Sequence, residues 1–374
     1  RTPVTGRVAP ALSPGSTPAW RFLVGRVNDP IPGTGTLKAN GYFDVSPPAT
    51  LPDRIANESN PDSLSAQLRL PRTYLHGDTA STVDIEVLNL AEDAAMGQAE
   101  ADTTFPTGTS ATNGAIAVSP SDTLITIDLP SSWMTPERLS DLQRDSLETI
   151  HGFKLSSPDT EDVVVGFSST SAQLRIMHKA DPDSITADYP SFKSFTHIEQ
   201  VGTSGPPPSS HKLIQDGTGL GLEMAWDLTQ PPLDTLINDP LNGAQIFVPI
   251  DTTEMQTYAG SSTFTRPLPK GYRMIVSGSS GTSILGLVPT AAPGAARVSN
   301  EVAFSIFDES FRRVRNDEDP VFDSFRVFVG DRESIPSNPD LTRQPGLPST
   351  LPVLVPIDGQ SPGPPRLTLT VTPL

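Results

Sequence analysis

Carboxylates are the one plentiful class of reactive side chain in this sequence of 374 residues, where Asp and Glu number 43 against 26 Lys and Arg, 5 His and no Cys. Two carboxylates facing across a cleft, one protonated and one charged, are the machinery of glycoside hydrolysis. Asp84 and Glu86 stand two apart in TVDIEVLNL and so share one side of a strand, but the outward face of a half-buried strand ordinarily carries such residues. Oxygen ligands bunched in a loop suit calcium instead. The stretch NDEDPVFD gathers Asn316, Asp317, Glu318, Asp319 and Asp323 and is the candidate calcium loop. It lacks the glycine of an EF-hand, and its plain alternative is a solvated acidic turn.

The histidines, His76, His151, His178, His197 and His211, are dispersed and show no HExxH spacing, so they read as surface or turn residues rather than zinc ligands. The absence of Cys removes thiolate ligands, catalytic thiolates and disulfides together. SGSSGTS at 277–283 departs from GxSxG and reads as a hairpin loop. GTGLGL at 217–222 runs into the strand-like EMAWDL, whereas a phosphate cradle needs a helix amino terminus there. No catalytic or cofactor-binding residue is nominated, and structural calcium is the sole candidate cofactor. Among the aromatics, Trp133 and Trp226 read as core anchors. Tyr258 and Tyr272, in the polar TYAGSSTFTRPLPKGYR, are the exposed pair and the candidate ligand or partner patch.

The elements that would position these residues are strands. With 40 prolines spread along the chain, long helices are excluded almost everywhere while short strands between turns are permitted. RFLVGRV, GYFDV, SLSAQLRL, TVDIEVLNL, DTLITIDLP, HGFKLSS, DVVVGFSS and SAQLRIMH read as strands, several alternating with period two. One helix is expected near 135–151, with Thr135 as cap, Pro136 at the first position and Leu139, Leu142, Leu147 and Ile150 near one face. SAQLRLPR is echoed by GAQIFVPI, DTLITIDLP with its helix by NEVAFSIFDESFRRV, and AQLRIMH by RLTLTV. In the third-last of these stretches, Phe304 and Ile306 read as strand positions ahead of a short helical turn. The ordered echoes point to an internal duplication. The expectation is an all-β fold of two tandem jelly-roll-like β-sandwich modules, each with a short helical insert. A Pro-rich tether would span 1–18, the first module 19–180 and the second 188–374.

FLVGRVNDPIPGTGTLKANGYFDV, SLSAQLRLPRTYLHGDTASTVDIEVLNL, LIQDGTGLGLEMAWDL, INDPLNGAQIFVPI and PPRLTLTVTPL, in that order, resemble Bacteroidota-type surface lipoproteins of the family called domain of unknown function 4270. The resemblance rests on segment order and on the turns Asn28-Asp29-Pro30 and Leu75-His76-Gly77-Asp78. It implies an outer-membrane protein held by a lipidated Cys, a residue this sequence does not contain, and it carries over no functional residues. Arg1 in place of Met reads as a processed terminus and hence export. The formal charge of -17 disfavours nucleic acid and anionic membrane surfaces, leaving a lipid anchor as the only expected membrane link. The resulting expectation is a non-enzymatic structural or interaction component of an envelope or extracellular assembly, binding other proteins or itself. A carbohydrate-binding surface protein and a carboxylate-based glycoside hydrolase are the alternatives.

Overall fold

The computed structural model describes most of residues 21–372, leaving out chiefly 97–102, 158–161, 216–219, 225–227, 290–294, 319–323, 331–349 and 358–364. Strands account for 48% and helices for 15%, so the chain is all-β. Its first half runs β1 (Arg21–Asn28), β2 (Thr36–Val45), α1 (Asp53–Ala56), β3 (Leu64–Asp78), β4 (Val83–Leu90), β5 (Thr107–Ser110), β6 (Ile116–Val118), β7 (Leu124–Leu129), α2 (Pro136–Leu142), β8 (Phe153–Ser156), β9 (Val163–Ser168), β10 (Gln173–His178) and β11 (Thr186–Val201).

Two long strands organise this half. The amino-terminal part of β3 alternates Leu64, Ala66, Leu68 and Leu70 inward and pairs with β7 and β10. Pro71 then ends that ladder, the register shifts between Arg72 and Tyr74, and the remainder of β3 pairs with β9. β11 does the same, leaving β10 at Pro190, joining β2 at Ser191 opposite Val45 and shifting register between Ser191 and Ser194. A proline cannot donate to a ladder and a bulge bends its strand, so each long strand passes from one sheet to the other. With β1 pairing both β2 and β9, the strands β1, β9, β3, β10, β11 and β2 close a hydrogen-bonded ring.

The second half runs β12 (His211–Gln215), β13 (Leu222–Met224), β14 (Leu241–Pro249), α3 (Thr252–Thr257), β15 (Phe264–Thr265), β16 (Gly271–Gly278), β17 (Gly281–Pro289), β18 (Ala295–Arg297), α4 (Asn300–Arg315), β19 (Ser324–Gly330), β20 (Pro352–Pro356) and β21 (Arg366–Val371). Its pairings follow those of the first half. β12 pairs β20 as β1 pairs β9, β13 pairs β19 as β2 pairs β8, and β16 pairs β19 as β4 pairs β8. β14 pairs β18 and β21 as β3 pairs β7 and β10. Two of the sequence echoes even keep one register: Leu68 faces Leu174 and Ala66 faces Ile176, while Ile246 faces Leu367 and Ala244 faces Leu369.

Two sequence expectations are corrected here. NEVAFSIFDESFRRV is helical throughout as α4, and the counterpart of β7 is β18 just before it. No Gly or Pro interrupts 300–315, Phe307 and Phe311 are buried one turn apart, and Arg312, Arg313 and Arg315 favour the helix carboxyl end. The helix expected over 135–151 starts as foreseen, with the Thr135 hydroxyl accepting from Arg138 N–H at 3.3 Å and Pro136 at the first position. It stops at Leu142, whose carbonyl takes the Tyr189 hydroxyl, so Leu147 and Ile150 lie beyond it. β11, which starts at Thr186 across the boundary drawn near 188, pairs with β10 and β2 of the first half. The tether at 1–18 lies outside the described residues.

Two hydrophobic clusters share the sheet built on β1, β2 and β9. Phe22, Val24, Phe43, Val163, Val165 and Phe167 face the interior of the first half with Leu68, Leu70, Ile127, Leu174 and Trp133. On the opposite face, Leu23, Val27, Leu37, Ala39 and Val164 pack with Ile214, Ile246, Met255, Phe307, Phe311 and Val353 of the second half. A sheet covered on both faces needs unbroken apolar runs, which is what FLV and VVV supply. The halves are therefore joined by a common core rather than strung on a linker.

Candidate functional site

The two turns that carried the family resemblance meet in space. Asn28-Asp29-Pro30 follows β1, and there Asp29 Oδ1 accepts from Ile31 N–H at 2.9 Å while the Thr34 hydroxyl reaches the Asp29 and Ile31 carbonyls at 2.8 and 2.7 Å. This local turn aims the Asp29 carboxylate at His76, which lies within β3 rather than in a turn. Asp29 Oδ2 sits 2.8 Å from His76 Nε2, and Thr350 Oγ1 sits 2.8 Å from His76 Nδ1. Tyr74 completes the line, its hydroxyl 3.0 Å from Thr350 Oγ1 and accepting Thr350 N–H at 3.1 Å. The donor directions close if Tyr74 donates to Thr350, Thr350 to Nδ1, and the Nε2 proton to Asp29.

Arg266 neutralises the carboxylate from the second half. Its Nε and Nη2 donate to Asp29 Oδ2 and Oδ1, both at 2.7 Å, and its Nη1 donates to the Met255 carbonyl at 2.6 Å. β15 brings it there by pairing with Gly77 and Asp78 of β3, which also sets Phe264 edge-on to the His76 ring at 5.8 Å. His76 and Thr350 are 0% exposed, Asp29 1% and Arg266 7%. Burial alone raises the Asp29 pKa, but the hydrogen bonds from His76 and Arg266, with the Arg266 charge, outweigh it and hold the group at about 2 against its usual 3.8. A carboxyl depressed in the folded state stabilises fully above its unfolded pKa and loses that contribution as pH falls through the folded one. Acid titration of the native chain is thus expected to remove about 2 kcal/mol of stability between pH ~4 and ~2 through this group, a loss that Asp29→Asn abolishes when urea midpoints are followed against pH.

Gly77 allows the approach. Its φ is 121°, and a Cβ built on it would lie 2.2 Å from the Asp162 carbonyl oxygen of the chain entering β9. Gly77→Ala is expected to cost at least about 2 kcal/mol, from the unfavourable dihedral and the backbone clash, read as a lower denaturation midpoint.

Hydroxyl, imidazole and carboxylate in one line is the order of a nucleophile with its base and orienting acid. A nucleophile must also be reached, and Thr350 is sealed beneath Tyr74. The arrangement therefore acts as a clasp: Asp29, Tyr74 and His76 from the first half hold Arg266 and Thr350 from the second. Nothing in the spacing announced it, since its members are scattered over more than 300 positions; the signal that existed was the pair of turns.

The other histidines described with polar partners each meet a single carboxylate. His211 Nε2 lies 3.2 Å from Asp251 and its Nδ1 2.9 Å from Ser210, while Asp251 Oδ1 caps α3 at Glu254 N–H. His178 lies 3.2 Å from Glu58 and His151 2.8 Å from Asp93. An open hollow lined by Asp53, Arg54, Asn57, Glu58 and His178 contains one of these pairs, where Glu58 already accepts from the Ser59 and Asn60 N–H groups. Among the described residues no three His, Asp or Glu side chains converge as a metal-binding group. His76 departs from the surface or turn location expected of it, since it is wholly buried.

Of the nominated calcium loop, Asn316 and Glu318 are described, and the Glu318 carboxylate lies 3.2 Å from Arg313 Nε. Asp317, Asp319 and Asp323 lie outside the described residues. Tyr258 stands at the end of α3, half-buried against the shared core, its hydroxyl donating to Glu254 Oε1 at 2.9 Å. Tyr272 belongs to β16, and its side chain lies outside the described residues. Trp133 is a core anchor, buried, bonded through Nε1 to Asn89 Oδ1 at 2.9 Å and covered by the Arg138 guanidinium 4.7 Å above its ring. Trp226 is outside the described residues. Comparison with protein-family models, with curated proteins and with solved structures finds no match.

Proposed function

We propose that this chain is a non-enzymatic structural or interaction component of an envelope or extracellular assembly, exported to the outer-membrane surface or beyond it. The observation that carries this reading is the use made of the chain's most reactive constellation: Asp29, His76 and Thr350 are sealed in the interior and fasten the two halves together. Side chains able to do acid–base chemistry here contribute cohesion. A surface with formal charge -17 keeps such a body soluble while it offers strand edges for association. The likeness of its segments to surface lipoproteins supports the location.

The experiment is mild chemical cross-linking in the native organism, followed by recovery of the chain under denaturing conditions. Recovery in defined covalent complexes with itself or with envelope proteins is expected. A chain recovered alone, and turning over a polysaccharide when purified, would overturn the proposal.

A further inference from the structure

One group of polar side chains is absorbed neither by the clasp nor by the two large cores. β2 turns Leu37 and Ala39 to the shared core, which sends Lys38, Asn40 and Tyr42 to the opposite face. Strand register then fixes their neighbours. His197 of β11 stands opposite Asn40 and Phe195 opposite Tyr42, while Lys154 of β8 stands opposite Tyr42 on its other side. β4 adds Glu86, opposite Ser156 of β8, on the same face. Asn40, two residues from Tyr42, is the diagonal neighbour of Lys154, at roughly 7 to 8 Å and within reach of a long side chain. Two of these groups are anomalous. Asn40 is 8% exposed, yet its amide takes no hydrogen bond among the described residues. A buried polar group left unpaired costs free energy, and native structures hold few of them. Lys154 is half-buried, and among the described residues no carboxylate lies at ion-pair distance from it; its ammonium sits over the Tyr42 ring at 5.8 Å. Burial and the Lys38 charge push its pKa down, and Glu86 offsets them only in part. A half-buried lysine without an ion pair, in a chain with 43 carboxylates, calls for an anion from outside. The hollow beside His178 differs, since there Nδ1 accepts the Ala180 N–H and Nε2 meets Glu58, both at 3.2 Å.

We propose that this face binds an acidic sugar, a uronic acid unit of a polysaccharide, with its carboxylate on the Lys154 ammonium and its hydroxyls on the Asn40 amide and His197. The inference goes beyond the assembly role, since it names a ligand and not a protein partner, and it does not depend on that role. A carboxylate answers the unpaired ammonium, and Lys38 brings a second positive charge close enough to be felt there. The Asn40 amide offers donors and an acceptor, and a neutral imidazole at His197 offers one of each, the mixture that sugar hydroxyls use. A uronic acid carries both kinds of group on one ring. A neutral sugar would leave the ammonium unanswered. Phosphate and sulfate suit a guanidinium fork, which this group lacks, and their added charge would lie near Glu86. An extended acidic peptide needs a sheet edge, whereas β2 is paired with β11 along one side and with β1 and then β8 along the other. Phe195, partly buried against Tyr42 and edge-on to Phe105 at 5.7 Å, supplies apolar surface at the border of the site. The formal charge of -17 repels a polyanion at long range, but at physiological ionic strength that repulsion fades beyond about 8 Å and the two lysines decide.

The test is isothermal titration calorimetry of the full chain with short oligomers of galacturonic, glucuronic and mannuronic acid, each beside its methyl ester as the uncharged counterpart. At least one of the acids is expected to bind, with its ester at least about tenfold weaker. Lys154→Gln is expected to weaken that acid at least about tenfold with an unchanged circular dichroism spectrum, whereas Lys179→Gln, which removes an exposed charge elsewhere, leaves the affinity as it was. The comparison of acid with ester needs no variant, so it decides even if Lys154→Gln fails to fold. Four results each overturn the proposal: no acid binding at concentrations on the order of 1 mM, an ester bound as tightly as its acid, equal effects of Lys154→Gln and Lys179→Gln, or a glutamate oligomer bound as tightly as the uronate. None of them touches the assembly role, which cross-linking in the native organism tests separately.

Discussion

Arg266→Met is expected to lower the free energy of unfolding by about 3 to 5 kcal/mol, the cost of leaving a buried carboxylate without its counter-charge. The guanidinium donates to both Asp29 oxygens and also holds the Met255 carbonyl, and only 7% of its side chain is exposed. Met can fill much of the stem's volume, so the loss reports charge and hydrogen bonding more than a cavity. The double variant Asp29→Leu/Arg266→Met is expected to recover a good part of the loss, because a pair replaced by apolar groups leaves nothing uncompensated. Urea denaturation of the three proteins measures it. A cost below about 1 kcal/mol for Arg266→Met would place the pair in the class of exposed ion pairs and remove the clasp.

Phe43→Ala is expected to cost a similar amount, about 3 to 5 kcal/mol, through the lost transfer energy and the cavity left behind. Phe43 is fully buried, stacks on Phe22 with ring centroids 5.1 Å apart and tilts against Phe153 at 5.3 Å, while Phe153 in turn meets Trp133 at 6.1 Å. These rings join β1, β2, β8 and the approach to α2, so a void at Phe43 cannot collapse without moving the sheet. Phe43→Leu keeps most of the volume and is expected to cost roughly 1 kcal/mol. Equal losses for Ala and Leu would mean that ring stacking, rather than filled volume, stabilises this site.

Strands were the most readable part of the sequence, and the reason is local. Alternation in SAQLRL and DTLITIDL marks one buried face, and both segments are strands with that face inward. The unbroken FLV and VVV runs marked strands as well, and their continuity reflects the two covered faces of the central sheet. What could not be read was any property fixed by distant neighbours. Pro71 and Pro190 look like turn residues, yet they mark the places where β3 and β11 cross between sheets. Val302 to Val314 fits a strand beginning as well as a helix, and burial of Phe307 and Phe311 against β14 decides for the helix. The Ala66 and Ala244 echoes look alike in sequence, and each sits in the same ladder register.

The candidate site was less legible still. His76 stood alone in the sequence, without a ligand cluster, and its partners Asp29 and Thr350, with the Arg266 that pairs with Asp29, come from three remote loops. Spacing rules work where one helix or one turn positions all the ligands, and here four segments must fold first. Tyr258 illustrates the converse. Its polar surroundings suggested an exposed ring, but the i to i+4 geometry of α3 hands its hydroxyl to Glu254 and packs the ring on the shared core.

Native-state hydrogen exchange on the full chain tests most directly whether the common core and the clasp make the halves a single cooperative unit. Amides of β9 in the first half and of β20 in the second are expected to exchange through openings of the same free energy, and Arg266→Met is expected to lower both by the same amount. Exchange of β20 and β14 through a separate, lower-energy opening, with β3 and β9 still protected, would contradict it.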